Sequence, residues 1–153
     1  MTLPADTLVL VADGRKALFL RNRGDDRQID LRTTAHQDRN DRKDSDIKTA
    51  PAGQSPAPAG TGLSGGTMDE ADFHQQEEDR FARELADKVN SMALAGKIPA
   101  LVVIAPARTM GELRPLWHKE ASAILVGEHV KEMTDRAISD IEALLLGDPS
   151  PPS

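Results

Sequence analysis

The sequence predicts an α/β fold: a mixed five-stranded sheet, a three-strand antiparallel meander plus two parallel strands, carrying about three helices on both faces. Three observations lead there. Residues 7–12 (TLVLVA) and 100–105 (ALVVIA) are apolar throughout, the pattern of strands covered on both sides. Between them, Phe81, Leu85, Val89 and Met92 recur at spacings of four, four and three, which is one stripe at helical period. Two such strands joined through a helix form a parallel pair with a right-handed crossover.

The elements follow in order. After residues 7–12, Asp13-Gly14 supplies a tight turn of the two-residue hairpin kind, with Gly tolerating a positive φ. Residues 16–21 form the second strand. A polar turn over residues 22–27 leads to a third at residues 28–32, whose alternation marks a half-exposed edge. The main helix covers residues 73–95, with Ala82, Ala86 and Ala93 beside the stripe. Asp69, Glu70 and Asp72 stand near its start, where the macrodipole favours negative charge, and Gly96 ends it. The strand at residues 100–105 is stopped by Pro106. Thr109 to Glu112 matches a capping box opening a short helix that Pro115 limits. Residues 122–127 are the fifth strand. Thr134 caps a last helix that turns Ile138, Ile141, Leu144 and Leu145 inward and closes at Gly147.

Residues 36–72 have another character. They contain Pro51, Pro56 and Pro58, five glycines, and only Ile47, Leu63 and Met68 as large apolar residues. Such a stretch buries too little surface to offset its ordering entropy, so a disordered loop is expected over about 36–68. The chain therefore reads as a single domain over residues 1–147, interrupted by that loop, with a disordered Pro/Ser tail at 148–153.

Composition excludes several classes of function. There is no Cys among the 153 residues, hence no disulfide scaffold, thiolate metal site or thiol nucleophile. Lys and Arg number 19 against 25 Asp and Glu, a net of −6. By segment, residues 1–35, 36–72, 73–96 and 97–153 carry +1, −3, −2 and −2, so no basic stripe exists for autonomous binding of free nucleic acid. Four aromatic residues (Phe19, Phe73, Phe81 and Trp117) provide no base-stacking platform. No apolar run has the roughly 20 residues of a membrane span, and the N-terminus lacks the pattern of a secretory signal. The expectation is a soluble, cytoplasmic protein.

The motifs carry little chemistry by themselves. His36, His74, His118 and His129 share no metal-ligand spacing, and His74 with Glu77 and Glu78 reads as a wet helical face. No metal or cofactor site is expected. A two-metal nuclease would need several converging carboxylates, but the strand ALVVIAPA has none, and Asp13 belongs to its turn. Gly60 to Gly65 fits G-x-G-x-x-G only superficially, since no strand leads into it. What remains is Gly65-Gly66-Thr67, a glycine pair before the main helix that exposes backbone amides and permits close approach.

Taken together and in order, several segments resemble the host attachment protein family, bacterial relatives of the central domain of archaeo-eukaryotic class-1 peptide release factors. These are VLVADGRKALFLRN, with Ala12-Asp13-Gly14 and Ala17; FARELADKV, with Phe81-Ala82; LVVIAPARTMGELR, with Ala105-Pro106 and Gly111 to Arg114; and KEMT before the last helix. The resemblance covers nearly the whole chain apart from the loop and the tail. It implies a ribonuclease-H-like fold and association with the ribosome or translation machinery. In release factors the corresponding loop bears Gly-Gly-Gln, which positions water against the peptidyl-tRNA ester. Here Gly65, Gly66 and Thr67 stand in its place, so peptidyl-tRNA hydrolysis is implied with Thr where the carboxamide would be. Codon-reading domains have no room in 153 residues. The alternative is a non-catalytic interaction protein required indirectly for attachment to host cells. Neither reading fixes an oligomeric state.

Overall fold

The computed structural model describes residues 3–39 and 56–147, and the side chains of all of these except 56–72. Five strands form one sheet: β1 (Leu8–Ala12), β2 (Lys16–Asn22), β3 (Leu31–Asp38), β4 (Leu101–Ala105) and β5 (Leu125–Val130). Their spatial order is β3-β2-β1-β4-β5, with β1–β2 and β2–β3 antiparallel and β1–β4 and β4–β5 parallel. The expected meander and the expected parallel crossover are both present. Helices α1 (Pro56–Leu94), α2 (Ala107–Leu113), α3 (Lys119–Ala123) and α4 (Ile138–Leu146) complete the fold, with a 3₁₀ turn at Arg114–Leu116.

Strand alternation divides the core in two. Leu8, Leu10 and Ala12 of β1 and Leu101, Val103 and Ala105 of β4 face α1 and α2, where they meet Phe81, Leu85, Val89, Met110 and Leu113. Val9, Val11, Val102 and Ile104 face the opposite way and pack on Leu3, Met133 and the Ile141 and Leu145 of α4. Burying Phe81, Leu85 and Val89, each at 2% exposure or less, is worth about 2 kcal/mol apiece and fixes α1 on the sheet.

Several boundaries differ from expectation, each for a physical reason. The third strand starts at Leu31 and reaches Asp38, so it takes in His36 to Asp38, because β2 offers a partner along its whole length from Asn22↔Leu31 to Lys16↔Asp38. Helix α1 begins at Pro56 rather than at residue 73. Proline suits a first helical position, and extending a formed helix adds one hydrogen bond per residue. Of the stretch expected as a loop, residues 40–55 lie outside the described residues. Asp69, Glu70 and Asp72 consequently fall within α1, whose first turn holds no acidic residue.

Neither expected threonine cap forms. Pro106 is the N-cap of α2 and Ala137 that of α4, both without a side-chain hydrogen bond. A five-residue helix, α3, occupies residues assigned to the last strand, which moves β5 to Leu125–Val130. Pro115 does end α2 in a 3₁₀ turn, and Gly96 and Gly147 terminate their helices at φ 71° and 80°. Gly14, by contrast, has no positive φ: the hairpin is shaped by Asp13 instead.

Candidate functional site

The carboxyl ends of β1, β4 and β5 open on one edge of the sheet, where β1 has an antiparallel neighbour on one side and a parallel one on the other. In sheets with parallel strands, ligands commonly bind beyond the carboxyl ends of the strands. Three segments distant in sequence meet there: the β1–β2 turn, residues 75–79 of α1 with α2, and the chain between β5 and α4.

Asp13 organises the first. Its Oδ1 accepts the backbone N–H of Arg15 at 2.7 Å and of Lys16 at 2.8 Å, an Asx turn that closes the hairpin. Its Oδ2 accepts the Thr134 hydroxyl at 2.8 Å, and that hydroxyl also stands 2.9 Å from Glu132 Oε2. Burial opposes ionisation of Asp13, but the two amides and the hydroxyl outweigh it and hold the carboxyl below its ordinary value. Lys16 pairs with Asp135 across the same gap. Asp13, Arg15, Lys16, Asp38 and Asp135 line a cleft of about 230 Å³.

The second layer is built by α1 and α2. Glu78 reaches over the turn so closely that a Cβ on Gly14 would lie 3.3 Å from its carboxyl carbon. Arg108 binds Gln75, stands 3.3 Å from Glu78 and 3.7 Å from Glu112, and Gln75 donates to Asp79 at 2.9 Å. One guanidinium thus serves two carboxylates directly, with Gln75 linking it to a third, Asp79. Burial pushes the Glu112 carboxyl up, with Glu78 and Asp79 adding to it and Gln75 and Arg108 pulling back. Beside this cluster Asp79, Ala82, Arg83, Glu112, Pro115 and Leu116 border a groove of about 270 Å³.

The residues singled out in the sequence are distributed as follows. Gly65, Gly66 and Thr67 fall within the range of α1, and their side chains lie outside the described residues. From Gly66 to Glu78 the helix rises roughly 18 Å, at about 1.5 Å per residue, so the pair stands on the stem that continues past the Asp13 edge. His74, Glu77 and Glu78 do not converge: His74 meets Phe73 edge-on, Glu77 pairs with Arg80, and Glu78 turns to Arg108. Among the described residues no three His, Cys, Asp or Glu side chains gather as a metal would require, and no helix is long and apolar enough to cross a membrane. Neither periodicity nor spacing marks Thr134, Glu132, Asp135, Glu78 or Arg108 as site residues. The only signal was that KEMT, ADG and GELR carry the family resemblance, and those segments are the ones that meet here.

The family itself is decided by sequence. The chain matches bacterial archaeo-eukaryotic release factor family 12 over residues 6–145. It belongs to that family. This bears out the resemblance to bacterial relatives of the release factors. Among solved structures, one similar to this family member is a crystal structure of an archaeal translation termination factor, at 10% identity and a TM-score of 0.47. The match covers 92% of this chain and 40% of that one, so the chain spans about two fifths of that factor's length. No curated protein matches it.

Proposed function

We propose that this chain is a translation-associated factor that engages the ribosome through the amino-terminal part of α1, with Gly65-Gly66-Thr67 as the contacting element. The observation that carries the reading is the family match over residues 6–145. The mechanics support it. Phe81, Leu85 and Val89 clamp the lower part of α1 on the sheet, so a segment displaced along that helix is presented from a rigid mount. The two glycines carry no side chains, so another molecule can approach the backbone of α1 closely at that point. Thr67 brings a hydroxyl in place of a carboxamide, and since the amides of residues 65–67 are taken up within α1, that hydroxyl is the group left to orient water at a peptidyl-tRNA ester in a hydrolytic step.

Sedimentation of lysate from the native host through a sucrose cushion tests the association. The chain is expected in the ribosomal pellet, enriched when elongation is stalled. Its absence under every stalling condition rejects the reading and favours a non-catalytic interaction protein acting indirectly in attachment to host cells. Release of peptide from peptidyl-tRNA, measured on stalled ribosomes, is expected to disappear in the double variant Gly65→Ala, Gly66→Ala without a lower melting temperature. Hydrolysis that survives the double change removes the assignment of the glycine pair.

A further inference from the structure

Helix α1 is held to the body in two different ways. From Phe81 onward, apolar side chains buried against the sheet anchor it. The stretch just before, His74 to Arg80 (HQQEEDR), has no aliphatic side chain, and none of its residues is buried. Where that stretch meets α2, the bonds are polar. Arg108 of α2 binds the Gln75 amide oxygen and stands 3.3 Å from Glu78 and 3.7 Å from Glu112. The Gln75 nitrogen donates to Asp79 at 2.9 Å and to Glu112 at 3.3 Å. Arg80 and Arg83 stand on α1 itself, and Arg80 is engaged by Glu77, so Arg108 is the cation that joins the two helices. Take it away and Glu78, Asp79 and Glu112 face one another with only a neutral amide between them. Even with Arg108 in place, burial and the charges of Glu78 and Asp79 push the Glu112 carboxyl up.

We propose that Arg108 is a latch: it sets the direction in which α1 leaves the sheet, and the polar joint at residues 74–80 swings away from α2 when the latch is withdrawn. The joint is built to open. Its ion pairs are exposed on the arginine side, and exposed pairs are individually weak, whereas the apolar anchor from Phe81 to Val89 is not disturbed by their loss. The helix acts as a lever. About 22 Å of it separates Phe81 from Gly66, so a swing of about 10° at the joint displaces the glycine pair by about 4 Å. Arg108 is therefore a positioning residue for whatever Gly65, Gly66 and Thr67 meet. The consequence for the ribosome rests on the function proposed above, whereas the swing of the helix can be read without any ribosome.

The chain has no cysteine, so spin labels can be placed on introduced pairs without background. Labels on Ala71→Cys with Thr33→Cys read the stem of α1 against β3, and labels on Asp87→Cys with Thr33→Cys read its anchored part. With Arg108 present, the first pair is expected to give one narrow distance. In Arg108→Ala its distribution is expected to widen by roughly 3 Å, the displacement of residue 71 for a swing of about 10°. The second pair is expected to stay unchanged, which shows that the fold and the apolar anchor are intact. Adding Glu112→Gln to Arg108→Ala removes one of the opposed carboxylates and is expected to narrow the first distribution again. A broad distribution with Arg108 present, equal widths with and without it, widening of both pairs together, or a distribution that Glu112→Gln leaves broad overturns the proposal.

Discussion

Asn22 is fully buried and uses every hydrogen-bonding position of its amide. Its nitrogen donates to the carbonyls of Leu3, Pro4 and Asp25 at 3.0 to 3.2 Å, and its oxygen accepts the N–H groups of Gly24 and Asp30 at 3.0 and 2.9 Å. The residue therefore holds the amino-terminal segment and both sides of the β2–β3 turn. Beside it, Gly24 has no room for a side chain, because a Cβ would come within 1.9 Å of the Gln28 carbonyl oxygen. Replacing Asn22 by Ala leaves the Gly24 and Asp30 amides and the Leu3 and Asp25 carbonyls without this partner, while the Pro4 carbonyl keeps Thr7; at about 1 kcal/mol for each of the four, a loss of roughly 3–4 kcal/mol in urea unfolding is expected. A loss below about 1 kcal/mol would mean that water takes over those partners. None of this was legible in the sequence, where Asn22 reads as the first residue of a polar turn. Its partners are set by how the turn folds back on residues 3 and 4, and that is a tertiary fact.

At the scale of elements, legibility followed burial. The runs at residues 7–12 and 100–105 announced themselves because β1 and β4 are covered on both faces, and the Phe81 stripe because α1 packs along one line. Polar elements were harder. Half of β3 is exposed and only Leu31 is buried, so its limits come from pairing with β2 and not from its own pattern. The same difficulty hid the acidic layer between α1 and α2, since charges on two helices acquire a chemistry only when the helices are brought side by side. Glu112 shows the consequence. With its folded pKa raised above the unfolded value, its contribution to stability is complete below about pH 4.5 and is lost as pH rises through the folded value. Glu112→Gln is therefore expected to be more stable than the parent at neutral pH, by about 0.5 kcal/mol on the scale of relieved like-charge pairs, with no advantage near pH 4. Thermal melts at the two pH values check the sign, and a variant less stable at neutral pH would show that Arg108 and Gln75 dominate the environment of the carboxylate.

For the whole molecule, the Asp13–Thr134 bond matters most, because it spans 121 residues of sequence. It ties the first hairpin to the segment entering α4, and Lys16 with Asp135 repeats the tie alongside. Short segments with little meaning alone, ADG near the start and KEMT near the end, become one structure at the carboxyl edge of the parallel strands. A sequence reading that gave Thr134 to its own helix as a cap chose a local partner, while the fold supplied a distant one. The sign of the pH effect is opposite to that at Glu112. A carboxyl held below its unfolded value stabilises the fold above about pH 4, and the benefit disappears as pH falls through the lower folded value. Asp13→Asn keeps an oxygen for the Arg15 and Lys16 amides but loses the charge that strengthens those bonds and the one to Thr134, an expected cost of about 1–2 kcal/mol at neutral pH. The difference from the parent should narrow steadily below about pH 4, with the two acid-unfolding curves converging. Thr134→Val, which removes the same long-range bond and leaves the Asx turn intact, should reproduce part of the loss at neutral pH. If Asp13→Asn destabilises equally at all pH values while Thr134→Val has no effect, the carboxylate acts only within its own turn and the two ends of the chain are joined by packing alone.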